Sequence, residues 1–478
     1  MSEPAVAFVC LPLELWECIL LQLTPWEVLK LRRLNRGFRD LIDGSSTTQY
    51  RIQMFEEAVE EGVGSDWLPM NLADRRSQLE KYRSRWNHFD RATQETFAIP
   101  PFNFRICQKG YIAYVFRKDR NSMFCARIIR LPSTSNGVRR REWVLNLEML
   151  PLDAIVQGIT LQPELDLFVI IVISNAYTVL QTYTLQLSDG QPHPALPTLE
   201  VVYADPGLGP LVVAPHLCVT RSRLAFVIVY LQPDSRGTCT LRGYELCTGR
   251  VILDEFGDFS KIDFIDDFWL LVQNVGPTGG FILWDTTNPT TPSVWFLQDP
   301  TPPYPGIFDK QRIEMTTSPG ATGVFNMDSS QRILAISGCM AAKGVWKWFA
   351  FVIRSSALTS LALGASRGAT IKWQKWKEQT TTVEWLSRRC IVQVEGSRVF
   401  ILRRLFLEGK FDLTVVYDFS RGARKEQRST SLHLPLVGMP RVLKTHDWLA
   451  ISGNTVILLE SCLGMGSRQA STAITLSV

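Results

Sequence analysis

The side chains best suited to proton transfer or metal ligation near neutral pH are five histidines, His88, His193, His216, His433 and His446, and no two fall within ten residues. The adjacent carboxylates Glu60-Glu61 and Asp266-Asp267 point in different directions on a helix or strand, so adjacency alone makes no acid/base couple. Ten cysteines are spaced irregularly without a C-x-x-C pair, which signals neither a zinc site nor a compact disulfide framework; buried, reduced thiols are the simplest reading. G-x-S-x-G, the phosphate-binding G-x-x-x-x-G-K-[ST], H-E-x-x-H and the dinucleotide glycine fingerprint are all missing. Catalysis would therefore have to be assembled in three dimensions, and the sequence predicts no catalytic, metal or cofactor residues.

Three other clusters could bind rather than react. Arg139-Arg140-Arg141, set between Ser135-Asn136-Gly137 and Trp143, reads as a solvated hairpin edge rather than a phosphate site. Trp346-Lys347-Trp348 and Trp373-Gln374-Lys375-Trp376 could anchor a peptide or glycan, but packing between sheets is the favoured expectation. The third cluster is apolar and lies near the amino terminus.

That cluster needs helices to present it. Residues 11–23 carry Pro12 at a helix start, acidic Glu14 and Glu17, and apolar side chains at 12, 15, 16, 19, 20 and 23. Thr24-Pro25-Trp26-Glu27 is a capping box that opens a second helix with Val28, Leu29 and Leu31, closing on Arg32 and Arg33. Asn35 can cap a third, bearing Phe38, Leu41 and Ile42 and stopping at Gly44 in a left-handed conformation. A module this small, with no metal or disulfide, cannot cover its own apolar surface. Leu13 and Leu21 fall off the main stripe, and Trp16 and Trp26 add large rings, so a protein partner or the rest of the chain must cover what is left.

Leu11-Pro12-x-Glu14, then Ile19-Leu20-x-x-Leu23, Leu29, Arg33, Asn35-Arg36, Phe38 and Leu41-Ile42, resembles an F-box over about 40 residues. Leu34-Asn35-Arg36 departs mildly from the Val-Cys or Val-Ser that the family commonly places before its basic residue. The resemblance implies docking to the Skp-family adaptor, and through it to a cullin and its RING subunit in an SCF ubiquitin ligase. Carried over by position, the adaptor-binding set is Leu11, Pro12, Leu15, Ile19, Leu20, Leu23, Val28, Leu29, Phe38 and Leu41, some facing the adaptor and others the module's own core. Gln49-Tyr50-Arg51-Ile52 and Ser84-Arg85-Trp86 further resemble F-box proteins of mushroom-forming fungi.

Tyr50, Met54, Ala58 and Val59 share one face of a helix predicted to end near Gly62. Asn71 can cap another carrying Leu72, Leu79, Tyr82, Trp86 and Phe89, and the two helices read as a stiff connector. Beyond Ala98-Ile99-Pro100-Pro101 the pattern turns to short β-branched or aromatic runs broken by Gly, Pro, Asn and Asp, with hardly any helical periodicity. Seven strand-like units can be marked: Ile128-Ile129, Tyr183–Leu185, Gly243–Glu245, Leu283–Asp285, Phe351–Ile353, Val416–Asp418 and Val456-Ile457. Their spacing suits the blades of a propeller, whose radial repetition protects strand edges; two stacked β-sandwiches are the competing arrangement. Trp284-Asp285 and Tyr417-Asp418 resemble the aromatic-acid pair of WD-repeat blades. The turns Asp299–Tyr304 and Arg421–Glu426 are expected on loops that could confer partner specificity.

The whole chain of 478 residues is 46% apolar and 20% charged, which is ordinary globular composition. Its net charge of +5 is thinly spread, with 12 basic and 15 acidic residues up to position 95 and 39 and 31 after it, so nucleic acid is not indicated. Glu14 and Glu17 interrupt any signal-peptide pattern, and the apolar run Leu167–Ile173 is too short to span a bilayer and reads as a buried strand. The one glycosylation-like triplet, Asn288-Pro289-Thr290, carries the forbidden proline. A cytoplasmic or nuclear location, without a membrane, follows.

The expected architecture is an α+β multidomain chain: an all-α F-box over 8–46, a helical connector over 47–95, and over 96–478 a large all-β domain, a propeller of about seven irregular blades. The expected function is the non-catalytic substrate-recognition subunit of an SCF-type ligase, with no cofactor and an unidentified protein target. The alternatives are a non-ligase F-box scaffold, or a propeller hydrolase or lectin with carboxylates or aromatics at its channel.

Overall fold

The computed structural model describes residues 11–57, 59–61, 70–87, 93–99, 104–108, 110–117, 122–132, 139–174, 179–196, 199–203, 211–230, 238–274, 279–288, 293–298, 307–317, 325–327, 332–342, 345–385, 390–395, 398–405, 410–418, 426–428, 433–434, 447–452, 455–461 and 471–477. It begins with helices whose ends follow their capping residues. Pro12 precedes α1 (Leu13–Gln22), and α2 (Pro25–Leu31) opens on the capping box, with Glu27 N–H donating to Thr24 Oγ1 at 3.3 Å and Thr24 N–H to Glu27 Oε2 at 2.8 Å. Asn35 Oδ1 accepts from Phe38 N–H at 2.9 Å and starts α3 (Arg36–Gly44).

The expected left-handed stop at Gly44 does not form. Gly44 stays in the last turn, and Ser45 both ends α3 and caps α4 (Ser46–Glu56) by accepting from Thr48 N–H at 3.3 Å, so the chain needs no glycine break. The α4 helix also ends earlier than Gly62. Val59 leaves it to begin the short strand β1 (Val59–Glu61), where it packs with Tyr50, Leu79 and Tyr82; Ala58 and Gly62 lie outside the described residues. Asn71 Oδ1 accepts from Asp74 N–H at 2.9 Å at the head of α5 (Leu72–Asn87), while the Trp86 side chain and Phe89 are outside the described residues.

After β2 (Thr93–Ile99), antiparallel sheets follow one another along the chain. Sheet 1 holds β3 (Phe104–Gln108), β4 (Tyr111–Arg117), β5 (Phe124–Arg130) and β6 (Arg141–Leu147). Sheet 2 holds β7 (Ile155–Gln162), β8 (Leu167–Ser174), β9 (Val179–Gln186) and β10 (Leu199–Tyr203). Sheet 3 comprises β11 (Leu211–Val219), β12 (Arg223–Tyr230), β13 (Thr238–Glu245) and β14 (Val251–Gly257). Sheet 4 comprises β15 (Phe259–Phe264), β16 (Trp269–Asn274), β17 (Phe281–Asp285) and β18 (Ser293–Leu297). Next come β19 (Ile307–Thr317), β20 (Phe325–Met327), β21 (Ile333–Ala342), β22 (Val345–Arg354), β23 (Thr370–Ile371) and β24 (Thr380–Trp385). Of these, β19, β21, β22 and β24 make sheet 5, β23 joins β18 in parallel, and β20 pairs with β1. Sheet 6 has β25 (Cys390–Glu395), β26 (Arg398–Leu405), β27 (Lys410–Asp418) and β28 (Glu426–Arg428), with β29 (His433–Leu434) beside β27. Sheet 7 runs β30 (Asp447–Ser452), β31 (Thr455–Ser461), β32 (Ser471–Ser477) and then β2, which returns from the amino-terminal side.

The lead strands β3, β7, β11, β15, β19, β25 and β30 neighbour one another in turn, and β30 neighbours β3 again, so the contacts close into a cycle. The large region is thus propeller-like, and its cores lie between successive sheets. In β8, Leu167, Val169, Ile171 and Ile173 pack toward sheet 3, while Phe168, Ile170 and Val172 pack toward sheet 1. A strand buried on both faces explains the uninterrupted apolar run. In β12 the same division sends Leu224, Phe226 and Ile228 one way and Ala225 and Val227 the other. The seven marked units each fall in a different sheet, six on its third strand and Val456-Ile457 on the second strand of sheet 7.

Two helices interrupt the β region where hardly any helical pattern was expected: α6 (Ser355–Leu363) and α7 (Trp373–Lys377). They were hidden because α6 mixes Ser and Thr with Ala and Leu and carries no charged residue or side-chain cap, and because its Leu358 and Ala362 enter the core between sheets 4 and 5 together with Trp373 and Trp376 of α7. No helix among the described residues is long and apolar enough to cross a membrane.

Candidate functional site: an apolar face on the amino-terminal helices

The helical module packs around Leu20, Val28, Ile42 and Ile52, with Leu23, Leu29, Leu31, Phe38 and Leu41 against them. Ile52 comes from α4, so a fourth helix supplies what three cannot. Arg51, its neighbour, closes the carboxyl end of α1: its guanidinium donates to the carbonyls of Leu20 at 3.2 Å, Leu21 at 2.8 Å and Leu23 at 3.1 Å. A cation there satisfies orphan carbonyls and opposes the negative end of the helix dipole. Arg32, at the end of α2, meets Asp43 through paired bonds of 2.8 and 3.0 Å, and this guanidinium holds the Asp43 carboxyl below its ordinary range. The Thr24 amide and hydroxyl likewise lower the Glu27 carboxyl.

Packing sorts the ten expected adaptor-binding residues. Leu20 and Val28 are 0% and 2% exposed: they are core residues, and cannot offer a surface, because they point from α1 and α2 into the space filled by Ile42 and Ile52. Leu23, Leu29, Phe38 and Leu41 are half-buried against that core, and Phe38 also meets Trp16 edge-on at 5.5 Å. Leu11 is half-buried; Pro12, Leu15 and Ile19 are exposed. Leu15 and Ile19 stand one turn apart on the side of α1 away from the core.

Four further apolar side chains are exposed and were not in the expected set: Leu13 at 57%, Leu21, Trp26 at 53% and Leu34 at 68%. The off-stripe positions of Leu13 and Leu21 were a usable signal, and so was the Trp26 ring. Leu34 carried none, since it sits in the turn between α2 and α3, where no periodicity applies. These residues leave a small helical module with several large apolar side chains uncovered among the described residues, as expected of a docking surface.

Among the described residues the chemistry-bearing groups are not brought together. Among the described residues no three of His, Cys, Asp and Glu are grouped to hold a metal. The His193 ring contacts the Leu165 carbonyl at 3.0 Å; His88 and His446 lie outside the described residues. Asp266 Oδ1 accepts from the amides of Phe268 and Trp269, as a turn residue does, and Glu61 pairs with Arg75 at 2.9 Å. In the arginine run, Arg140 pairs with Glu142 at 2.9 Å, as Arg127 also does, and Arg141 lies over Trp143, on the last strand of sheet 1. Trp373 and Trp376 are buried in contact, as core packing required, while the Trp346 and Trp348 side chains are outside the described residues. Residues 299–304 and 421–425 of the two expected specificity loops are also outside.

Residues 8–50 match the F-box domain. F-box proteins are generally non-catalytic adaptors of SCF-type ligases, so a substrate-adaptor role in general is supported. No match was found among the curated proteins. Similar solved structures include an oligogalacturonate lyase in complex with manganese, at 12% identity, covering 81% of this chain and 96% of that one with a TM-score of 0.44. The polysaccharide lyase Uly1 has 9% identity, 79% and 90% coverage and a TM-score of 0.41. The WD40 domain of SCAP from fission yeast has 12% identity, 81% and 98% coverage and a TM-score of 0.38.

Proposed function

We propose that the chain is the non-catalytic substrate receptor of an SCF-type cullin-RING ubiquitin ligase. The F-box holds the Skp-family adaptor through Leu15 and Ile19 with Leu13, Trp26 and Leu34 around them, Pro12 and the half-buried members of the expected set bordering that face, and the β region holds a protein target. The observation that carries this reading is the unpartnered apolar face on a module whose core is already filled by Leu20, Val28, Ile42 and Ile52. What the chain contributes is geometry. A target fixed near the ligase meets it at high effective concentration, provided the link between the two halves is stiff. Such a receptor acts in the cytoplasm or nucleus.

The test is capture by purified Skp-family adaptor. The full chain is expected to bind, and Leu15→Glu/Ile19→Glu to lose at least tenfold in affinity with an unchanged melting curve. Equal capture of both would overturn the assignment. Recovery of cullin with a target that accumulates when the chain is deleted separates ligase from scaffold.

A further inference from the structure

A second apolar opening lies between sheets 3 and 4. It has a volume of about 460 Å³ and is lined from one side by Glu255, Phe256 and Gly257 of β14 with Asp258 after them. Phe259, Ile282, Trp284, Val294 and Phe296 of sheet 4 form the other side. The hollow arises because β14 is the last strand of its sheet, whereas sheet 4 extends further through β18 and β23. One edge of β14 thus has no strand partner among the described residues, and main-chain donors and acceptors are available there to an extended segment.

Three observations define what fits. Large rings stand at the opening: Phe256 is 62% exposed and Phe296 is exposed as well, an arrangement that costs solubility unless something covers it. Behind them Ile282 and Trp284 are buried, so the lining beneath the exposed rings is apolar. The charged lining residues are Glu255 and Asp258, both acidic and both exposed, on a chain whose net charge is +5. An acidic opening repels nucleic acid and uronic acids and favours lysine or arginine.

We propose that this groove binds an extended segment of the ligase's target in which lysine or arginine alternates with large apolar side chains. It rests on the receptor reading above and names the chemistry of the target. The apolar side chains enter between Phe256, Phe296 and Ile282, and the cations meet Glu255 and Asp258. Alternation is required because successive side chains of an extended chain face opposite ways.

The experiment uses the full chain and two fluorescein-labelled ten-residue peptides, one alternating Lys with Leu and one alternating Glu with Leu, read by fluorescence anisotropy at physiological salt. The Lys peptide is expected to bind saturably and the Glu peptide not. Glu255→Lys/Asp258→Lys is expected to weaken the Lys peptide at least tenfold and Phe256→Ser several-fold, with melting curves unchanged. Equal binding of both peptides, indifference to the surface variants, or displacement of the Lys peptide by a neutral oligosaccharide would overturn the proposal. Adaptor capture on the same preparations keeps the two readings apart: failure to capture adaptor with intact peptide binding removes the receptor role and leaves the groove standing.

Discussion

Arg398 of β26 reaches Glu57, at the end of α4, with its guanidinium 3.4 Å from the carboxylate, and both are buried. The same guanidinium donates to the Tyr82 hydroxyl of α5 at 3.0 Å and lies against the ring. Val59 to Glu61 add a strand pairing with Phe325 to Met327. The F-box side is therefore joined to sheet 6 by a desolvated ion pair and to the β region again by backbone hydrogen bonds, which is the stiffness that the proposed receptor role needs.

Removing one member of a buried pair strands the other charge, at a cost of about 3 kcal/mol or more. Glu57→Gln is expected to be the worse single change, because it leaves the Arg398 cation buried without this carboxylate. Arg398→Met costs less, since Arg83 remains 3.3 Å from Glu57. The double variant should lose less than the sum, with a coupling above about 1 kcal/mol in a denaturant double-mutant cycle. Strict additivity would show that the pair does not act as a unit.

Leu20 and Leu15 look alike in sequence, and structure separates them. Leu20→Ala is expected to lower stability by about 2–5 kcal/mol, because it empties a filled core. It should reduce adaptor capture only through the folded fraction. Leu15→Ala should leave the denaturation midpoint within about 0.5 kcal/mol of wild type while weakening capture. Titrations of soluble, folded protein distinguish the two.

The capping signals were legible because each is local: Thr24 with Glu27, Asn35 with Phe38 and Asn71 with Asp74 need only three residues of spacing. The sheets were legible for a similar reason, since a short β-branched apolar run such as Leu167–Ile173 is a local pattern. What the sequence could not show depends on distant partners. Glu57 with Arg398 and Thr93–Ile99 with Ser471–Ser477 join opposite ends of the chain, and Val59 leaves a helix for a strand because Met327 awaits it. The division of the apolar F-box residues between core and face likewise depended on Ile52 of α4.

Arg51→Lys tests whether the three carbonyls at the end of α1 need a planar fork. An ammonium cannot span Leu20, Leu21 and Leu23 together, so Lys should recover little of the roughly 1.5–3 kcal/mol lost in Arg51→Ala. Hydrogen exchange in α1 should accelerate in both variants, and adaptor affinity should fall with it. Full rescue by Lys would mean that charge alone suffices.

Acid should loosen the F-box at Asp43. Its carboxyl titrates below the usual 3.8 because Arg32 donates to it, so its contribution is present above the unfolded value and is lost as pH falls through the depressed folded one. Melting temperature is expected to change little from this group between pH 7 and 5 and to drop below about pH 4. The effect should be under about 1 kcal/mol, because both partners are partly exposed. Asp43→Asn should flatten that acid limb; an unchanged slope would assign it to other carboxylates.

The strand β2 pairs with β32 from Thr93↔Ser477 to Ile99↔Ser471, so the chain before the sheets completes the sheet that ends them. In a closed arrangement this pairing ties the last sheet to the chain that precedes the first. Deleting residues 471–478 takes out β32 itself, which separates β2 from β31 and leaves two edges unpaired. The truncated chain is expected to unfold at lower denaturant, to be cleaved first in sheet 7 under limited proteolysis, and to aggregate with concentration. Supplying residues 471–478 as a free peptide should restore part of the protection, because the missing strand can pair from both sides. A truncated chain as resistant as the intact one would show that closure through β32 is dispensable, and that the face-to-face cores between sheets hold the region together without it.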